Sequence, residues 1–543
     1  MRKSLLLITA LICSGAWAQD AHNFTRQDTL RGSITPERAW WDLNFYHLKV
    51  SVEPDDKFIS GSNTIRYEVL QPYQVLQVDL QAPLRIEKVT QDGQTLEVKN
   101  EGNAHFVTLR KKQIPGDINQ VIVHYSGHPK EAVNAPWDGG FSWKKDAYGQ
   151  HFIATSCQGL GASVWWPNKD HMYDEVDSMK ISITVPEDLM DVSNGQLLGV
   201  DHDKEAKTKT YHWGVENPIN NYGVNLNVAD YVHFDDIYNG EKGELKLDFY
   251  VLKPNLEKAK KQFTQAAKML EAFEYWFGPY PFYEDGFKLV EVPYLGMEHQ
   301  SSVTYGNGYE NGYRGNDVSG SGWGLKFDFI IIHESAHEWF ANNITYKDMA
   351  DMWIHESFTS YSENLYVDYY FGKEASKEYV IGIRNRIAND EPIIGHYDVN
   401  DSGSADMYYK GANMLHTLRQ LIDDDQKWRQ ILRGLNEEFY HQTVTTKQIE
   451  DYMSEHSGID LSAFFNQYLR TAKMPKLQFK VSGKTLKYRY VDIVEDFDMP
   501  VRISINANEQ WIQPNAKWQK LKTSEAIDDL EVDENFYIKN ERI

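Results

Sequence analysis

The chain has 543 residues and a formal net charge of −23, with 56 Lys and Arg residues against 79 Asp and Glu residues. Hydrophobic residues make up 41% and charged residues 25%, an ordinary globular composition that excludes collagen-like and wholly disordered chains. At about 100–200 residues per domain, the length predicts three or four domains. Phosphate backbones repel so acidic a chain, so we expect no nucleic-acid partner and favour positively charged ligands.

Residues 1–18 have the pattern of a secretory signal peptide. A basic start at Arg2 and Lys3 precedes an apolar run that ends at Ile12, and an A-x-A cleavage site ends at Ala18. The alternative is a membrane anchor, but the apolar run is too short to span a bilayer. We therefore predict an exported protein, periplasmic or extracellular, with no membrane span.

The next region, residues 19–235, is predicted to be an N-terminal β domain. Tyr46, Leu48 and Val50 alternate with polar residues, and similar short runs broken by Gly, Asn, Asp and Pro continue to about Phe234. No helix-length periodic segment interrupts them. The pattern predicts a mainly antiparallel, saddle-like sheet domain.

Two further domains are predicted from changes in periodicity. Residues 236–473 are mostly helical in pattern, and residues 474–543 return to strand alternation, which predicts a small C-terminal β-sandwich. Within the helical region, residues 287–294 form a predicted strand, and Pro293 near its end favours an edge position. The fold class is thus multidomain α+β.

A metal-binding motif lies in the helical region. His333-Glu334-Ser335-Ala336-His337 follows an apolar run suited to a buried helix. Residues four apart share one helix face, so both imidazoles can reach one metal ion. Two imidazoles favour Zn²⁺ over Mg²⁺ or Ca²⁺.

A third ligand is supplied by Glu356, which follows His337 after a gap of 18 residues and begins a second helical stretch. Two His and one Glu leave an open coordination position, as a catalytic zinc site requires. The competing interpretation is a chance pentapeptide on a solvated helix face, and the apolar flank together with Glu356 argues against it.

Two more elements carry a family resemblance. Gly296-Met297-Glu298-His299 lies upstream, and Tyr408-Tyr409-Lys410-Gly411 lies downstream. With the zinc motif between them, the chain resembles the aminopeptidase N and leukotriene hydrolase family of gluzincin metallopeptidases. That family carries G-x-M-E-N, HExxH, an 18-residue gap to Glu, and Y-x-K-G in this order. The resemblance implies an N-terminal β domain, a thermolysin-like catalytic domain and one zinc ion per chain.

The resemblance also implies catalytic roles for individual residues. His333, His337 and Glu356 match the zinc ligands. Glu334 matches the general base, which takes a proton from the attacking water. Tyr408 matches the tyrosine whose hydroxyl stabilises the oxyanion, whereas without the motif it would be read as a core tyrosine.

Substrate-binding residues follow from the same resemblance. Glu298 matches the carboxylate that binds the free α-ammonium group of a peptide, with Met297 and Gly296 beside it. Gln158 is a weaker match, to a Gln or Glu on the β domain that faces the first residue of the substrate. An ordinary loop glutamine is the alternative for Gln158, as a solvated acid is for Glu298.

Three positions carry open questions. His299 stands where the family usually has Asn, which puts the local backbone contacts in doubt. Glu363, seven residues after Glu356, matches a family acid and is expected either to hold a zinc-binding His or to be solvated. His355 replaces a common Asn, and we do not expect it to be a ligand because three are already present.

The predicted function is therefore an exported zinc aminopeptidase acting on peptides with a free N-terminal amine, with a monomer favoured. Two alternatives stay open. One is a zinc endopeptidase or a hydrolase of another small substrate. The other is a non-catalytic scaffold that keeps the fold, against which the complete set of matched residues argues.

Overall fold

The protein is described by a computed structural model that covers residues 23–543. The predicted signal peptide, residues 1–18, lies outside the described residues. Within residues 23–543, no helix is both long and apolar enough to cross a bilayer.

The N-terminal part of the described chain is built from strands. Two short helices, α1 (Arg26–Gly32) and α2 (Pro36–Ala39), precede them. In chain order the strands are β1 (Trp41–Glu53), β2 (Phe58–Val69), β3 (Val75–Asp79), β4 (Arg85–Gln91), β5 (Gln94–Thr95), β6 (Glu97–Glu101), β7 (Ala104–Thr108), β8 (Ile118–Gly127), β9 (Gly140–Lys145), β10 (His151–Ser156), β11 (Ser178–Pro186), β12 (Met190–Val192), β13 (Gln196–Asp203), β14 (Thr208–Val215) and β15 (Asn227–Ala229).

These strands form three sheets. The largest has eight strands in the order β13-β14-β11-β1-β2-β8-β4-β5, and it is antiparallel except for the parallel pair β1–β11. The smaller sheets are β12-β15-β10-β9 and β3-β7-β6. Tyr46, Leu48 and Val50 are at most 2% exposed, while Lys49 between them is exposed. The alternating residues on which the β prediction depended thus point in turn to the buried and to the solvated face of the sheet.

The central part of the chain combines a mixed sheet with helices. Its strands are β16 (Tyr231–Gly240), β17 (Gly243–Leu252), β18 (Phe287–Glu291), β19 (Gly296–Met297), β20 (Val303–Tyr305), β21 (Ile344–Tyr346) and β22 (Gln442–Val444). Its helices are α3 (Leu256–Gln262), α4 (Gln265–Phe277), α5 (Phe329–Ala336), α6 (Trp353–Phe371), α7 (Lys373–Gly382), α8 (Tyr409–Ile422), α9 (Asp425–Glu438), α10 (Thr446–Ser457) and α11 (Ser462–Leu469).

The mixed sheet has the order β16-β17-β18-β20-β19. The domain boundary predicted after residue 235 therefore falls inside β16, whose partner β17 continues the sheet. The edge position predicted for residues 287–294 is wrong, because β18 pairs with β17 on one side and with β20 on the other. Pro293 lies two residues beyond the end of β18, so its missing N–H interrupts no ladder hydrogen bond.

The C-terminal part is a β region, as predicted. Its strands are β23 (Lys476–Ser482), β24 (Thr485–Val491), β25 (Val501–Ile505), β26 (Asn508–Ile512), β27 (Gln519–Lys522), β28 (Leu530–Val532) and β29 (Lys539–Arg542). They form two sheets, β27-β24-β23-β29 and β26-β25-β28. Leu477, Val501 and Ile503 are at most 1% exposed and contribute to its core.

Candidate zinc site and substrate cleft

The histidine motif lies at the end of a short buried helix. Asp328 caps α5 (Phe329–Ala336) by accepting the backbone N–H of Ile330 at 3.1 Å. All eight helical residues are buried, as the apolar run predicted. His333 is on α5 and His337 directly follows it, and their side chains project from one face.

The three predicted ligands come together. The Oε2 atom of Glu356, from the first turn of α6, lies 4.0 Å from Nε2 of His333 and 3.5 Å from Nε2 of His337. This oxygen is buried and has no hydrogen-bond partner within the described residues. An orphaned buried oxygen facing two imidazole nitrogens fits a cation between them, and the His₂Glu donor set fits Zn²⁺.

Glu363 holds the ring of His333. Its Oε1 lies 2.7 Å from Nδ1 of His333, and its Oε2 accepts the hydroxyl of Tyr379 at 2.5 Å. Burial lowers the pKa of His333 to about 4, so the ring is neutral. An Nδ1–H that donates to the carboxylate leaves the lone pair on Nε2, which is the tautomer a metal requires. The structure thus places Glu363 behind the ligand and not in solvent.

His337 is held differently, by a break in the backbone. The chain leaves α-helical geometry at Phe340, and the carbonyl oxygen of Phe340 lies 3.0 Å from Nδ1 of His337. Thr359 of α6 brings its Oγ1 to the same nitrogen, also at 3.0 Å. These contacts again leave Nε2 for a metal. Neither partner could be predicted from the sequence, because one depends on a local break in the helix and the other on the packing of α6 against it.

Glu334 and Tyr408 both line the cleft at the metal donors. Burial, with the charges of Glu298 and Glu356, raises the pKa of Glu334 well above 4.5, which strengthens it as a base. Burial and the same two charges raise the pKa of Tyr408 well above 10. Its hydroxyl therefore keeps its proton and can donate a hydrogen bond to a developing negative charge.

Glu298 lies beside Glu334 and His337 and is 3% exposed. Its Oε1 accepts hydrogen bonds from Nε2 of Gln158 at 2.6 Å and from the hydroxyl of Tyr222 at 3.2 Å. Gln158 also donates to Oε1 of Glu356 at 3.0 Å. Gln158, which had the weakest sequence support, is thus in direct contact with two predicted site residues. Glu298 is 140 residues away in sequence and Glu356 is 198 residues away.

The two residues before Glu298 form β19, at the edge of the mixed sheet beside α5. A Cβ atom on Gly296 would lie 2.6 Å from Cγ2 of Ile330 and 3.3 Å from Cγ of Glu334. The glycine therefore lets the strand approach the helix that carries the base. Met297 lines the cleft wall next to it.

The two unusual histidines are not metal donors in this arrangement. His299 is fully buried and its Nδ1 lies 3.3 Å from Oγ1 of Thr304. His355 accepts the backbone N–H of Tyr346 through Nε2 at 2.9 Å. Burial lowers the pKa of both rings, so both are neutral packing groups.

The site opens into a cleft of about 700 Å³ between the strand-built part and the helical part of the chain. Aromatic residues that sequence reasoning missed line its walls. Trp137 comes from the strand-built part and is 56% exposed, while Tyr313 and Phe329 come from the helical part. Such aromatic walls suit apolar substrate side chains.

The chain is similar to known proteins. Residues 261–468 match the Peptidase family M1 domain. "Probable aminopeptidase 1" of Sulfurisphaera tokodaii is 21% identical over 87% of this chain and 62% of its own length. Leukotriene A-4 hydrolase of Xenopus laevis is 22% identical over 82% of this chain and 74% of its own length.

The fold is also that of solved structures. A mutant M1 zinc metallopeptidase from Deinococcus radiodurans, described as bound to a Tyr-Ser-Ala substrate, superposes with a TM-score of 0.66. It is 20% identical, and the match covers 81% of this chain and 96% of that one. By contrast, the chain spans less than two thirds of the length of the Sulfurisphaera relative, at 62%.

Proposed function

We propose that this chain, which belongs to peptidase family M1, is a zinc-dependent aminopeptidase that removes the N-terminal residue from peptides. One observation carries the proposal. Carboxylate oxygens of Glu298 and Glu334 and a ring nitrogen of His337 all lie within 4.8 Å of one another. A carboxylate able to bind an ammonium group thus lies next to the base and to a metal donor.

Substrate recognition follows from the position of Glu298. Within residues 23–543, the side chains that donate hydrogen bonds to this carboxylate both donate to Oε1. Its Oε2 is therefore left for a substrate. A peptide ammonium bound there places the first peptide carbonyl, and not a later one, beside Glu334. A cation and a buried carboxylate form a charge-assisted hydrogen bond, so an acetylated N-terminus is rejected.

The hydrolytic step uses groups of known position. His333, His337 and Glu356 would hold the zinc ion, which supplies positive charge that polarises the scissile carbonyl and acidifies water. Glu334 accepts the proton of the attacking water and then passes it to the leaving amine. Tyr408 donates its O–H to the oxygen that becomes negative. No covalent intermediate with the protein is formed.

The names of relatives support this reading, since a protein described as a probable aminopeptidase aligns over 87% of the chain. The test is hydrolysis of a panel of aminoacyl-p-nitroanilides by the purified chain, before and after treatment with a zinc chelator. We expect turnover that is lost on chelation and restored by one equivalent of Zn²⁺. Turnover that survives complete removal of metal would contradict the proposal.

We also propose that the protein is exported. The support is the sequence of residues 1–18, with its basic start, apolar run and A-x-A site. In a bacterial host with a periplasm, we expect the native protein in the periplasm or medium, with Gln19 as its first residue. N-terminal sequencing of fractionated protein tests this, and an intact Met1 in the cytoplasmic fraction would oppose it.

A further inference from the structure

A second cavity lies beside the cleft, where the helical part meets the C-terminal β region. It measures about 640 Å³ and is lined by four cationic side chains and one carboxylate. We call it the basic groove and define it by these residues: Arg384, Lys473, Lys476, Lys539 and Asp492. Such a cluster is unexpected in a chain with a net charge of −23.

Two of its cations are available to a ligand. Within residues 23–543, the exposed ammonium groups of Lys473 and Lys539 have no ion-pair partner. Lys476 pairs with Asp492 at 3.4 Å, in a partly exposed pair. Arg384 donates to the backbone carbonyl oxygens at positions 534 and 535, at 2.8 and 3.3 Å, and not to a carboxylate. The groove therefore keeps an excess of positive charge.

The basic groove adjoins the cleft. Ala388 lines both cavities, and the segment from residue 384 to residue 390 separates them. Arg386 and Asp390 line its cleft side, whereas Asn389 lines its groove side. Asp406 fixes this segment by accepting the backbone N–H groups of residues 388 and 389 at 2.8 and 2.6 Å. A peptide that passes over Ala388 would therefore run from the cleft into the groove.

The two cavities differ in the charge of their lining residues. The cleft holds the buried carboxylate of Glu298, and the basic groove holds free ammonium groups. A peptide bound by its ammonium at Glu298 runs away from it at about 3.3–3.6 Å per residue when extended. Because the two cavities share Ala388, we expect the downstream residues of longer substrates to reach the groove and short substrates to end inside the cleft.

We propose that the basic groove binds carboxylate groups in the downstream part of longer peptides, so that the enzyme prefers peptides with an acidic C-terminal half. This proposal rests on the aminopeptidase function proposed above. The ligand chemistry is that of Asp and Glu side chains or of the terminal carboxylate. Ion pairs at a partly exposed rim change affinity modestly, so the effect is expected in KM and not in the chemical step.

The test uses the double variant K473E/K539E and two octapeptides with the same first three residues. One has an acidic and the other a neutral, amidated downstream half. We expect KM for the acidic octapeptide to rise about tenfold in the variant, with kcat unchanged and KM for the neutral one within twofold. Cleavage of a leucyl-p-nitroanilide, which is too short to reach the groove, should not change.

The matched control is K517E/K520E, which makes the same charge change at exposed lysines of the same β region that do not line the groove. An equal rise of KM in the control would show a general field effect and overturn the proposal. Equal loss for acidic and neutral octapeptides, or no loss, would also overturn it.

A binding measurement separates this proposal from the proposed function. Fluorescence anisotropy of a labelled acidic octapeptide needs no turnover. If the zinc-loaded wild-type chain cleaves no member of the aminoacyl-p-nitroanilide panel, the proposed function fails. The groove proposal then stands or falls on whether K473E/K539E weakens binding of the acidic octapeptide more than K517E/K520E does.

Discussion

Replacing Glu334 with Gln is expected to lower kcat by about 10²–10⁴-fold, the contribution typical of general acid–base catalysis. The amide matches the carboxylate in size but cannot accept a proton from water. Glu334 lines the cleft, and burial together with the charges of Glu298 and Glu356 raises its pKa. Glu334 is not one of the three predicted zinc ligands, so the variant should still bind one Zn²⁺.

The measurement is kcat on leucyl-p-nitroanilide together with zinc content by mass spectrometry of the purified protein. Glu374→Gln is the matched control, because Glu374 is an exposed acid in the first turn of α7 that does not line the cleft. Its kcat should equal that of the wild type. An E334Q variant that retained more than a tenth of the wild-type kcat with zinc bound would remove Glu334 from its role.

The second large effect is expected at Glu298. Replacing it with Gln removes the charge that binds a substrate ammonium, and truncating one partner of a buried charge pair costs about 2–5 kcal/mol. At about 1.4 kcal/mol per tenfold, kcat/KM for free-amine substrates should fall by roughly 30-fold to 3,000-fold. The amide oxygen of Gln can still accept the hydrogen bond from the Tyr222 hydroxyl, so folding should be little affected.

The readout that isolates this role is a ratio. For E298Q, kcat/KM for a free-amine substrate falls, while that for its N-acetylated twin stays at its low wild-type value, so discrimination between the two collapses. Gln158→Ala provides the comparison, because it removes the contact with Oε1 of Glu298 but keeps the charge. Unchanged discrimination in E298Q would show that another group binds the ammonium.

The closeness of the three candidate metal donors could be predicted, because it depends on local chain geometry. A spacing of four residues places His333 and His337 on one helix face, and the spacing to Glu356 is a family pattern. Glu363 follows by the same logic, seven residues along the helix of Glu356. To predict that these residues lie close together, it was enough to assume that α5 and α6 pack against each other.

The surrounding contacts could not be predicted, because they join elements far apart in sequence. Tyr222 reaches Glu298 across 76 residues, and Thr359 reaches His337 across 22. Neither tyrosine nor threonine carries a pattern that distinguishes a site residue from a core residue. Pro293 misled the strand prediction for a related reason, since its effect depends on where the strand ends.

The cavities show the same limit. Trp137 contributes to the cleft from a segment that follows no strand or helix period, and the basic groove joins residues 384, 473 and 539 from three separate segments. Only the tertiary fold brings them together. The composition indicated an acidic protein suited to cationic ligands. A net charge summed over the whole chain does not show the local excess of positive charge in the groove.

The measurement that tests the central claim most directly is digestion of one octapeptide and its N-acetylated twin, followed by mass analysis of the products over time. An aminopeptidase that binds the ammonium at Glu298 releases residues singly from the free peptide and leaves the acetylated twin intact. Internal fragments from both peptides at similar rates would contradict the account and identify an endopeptidase.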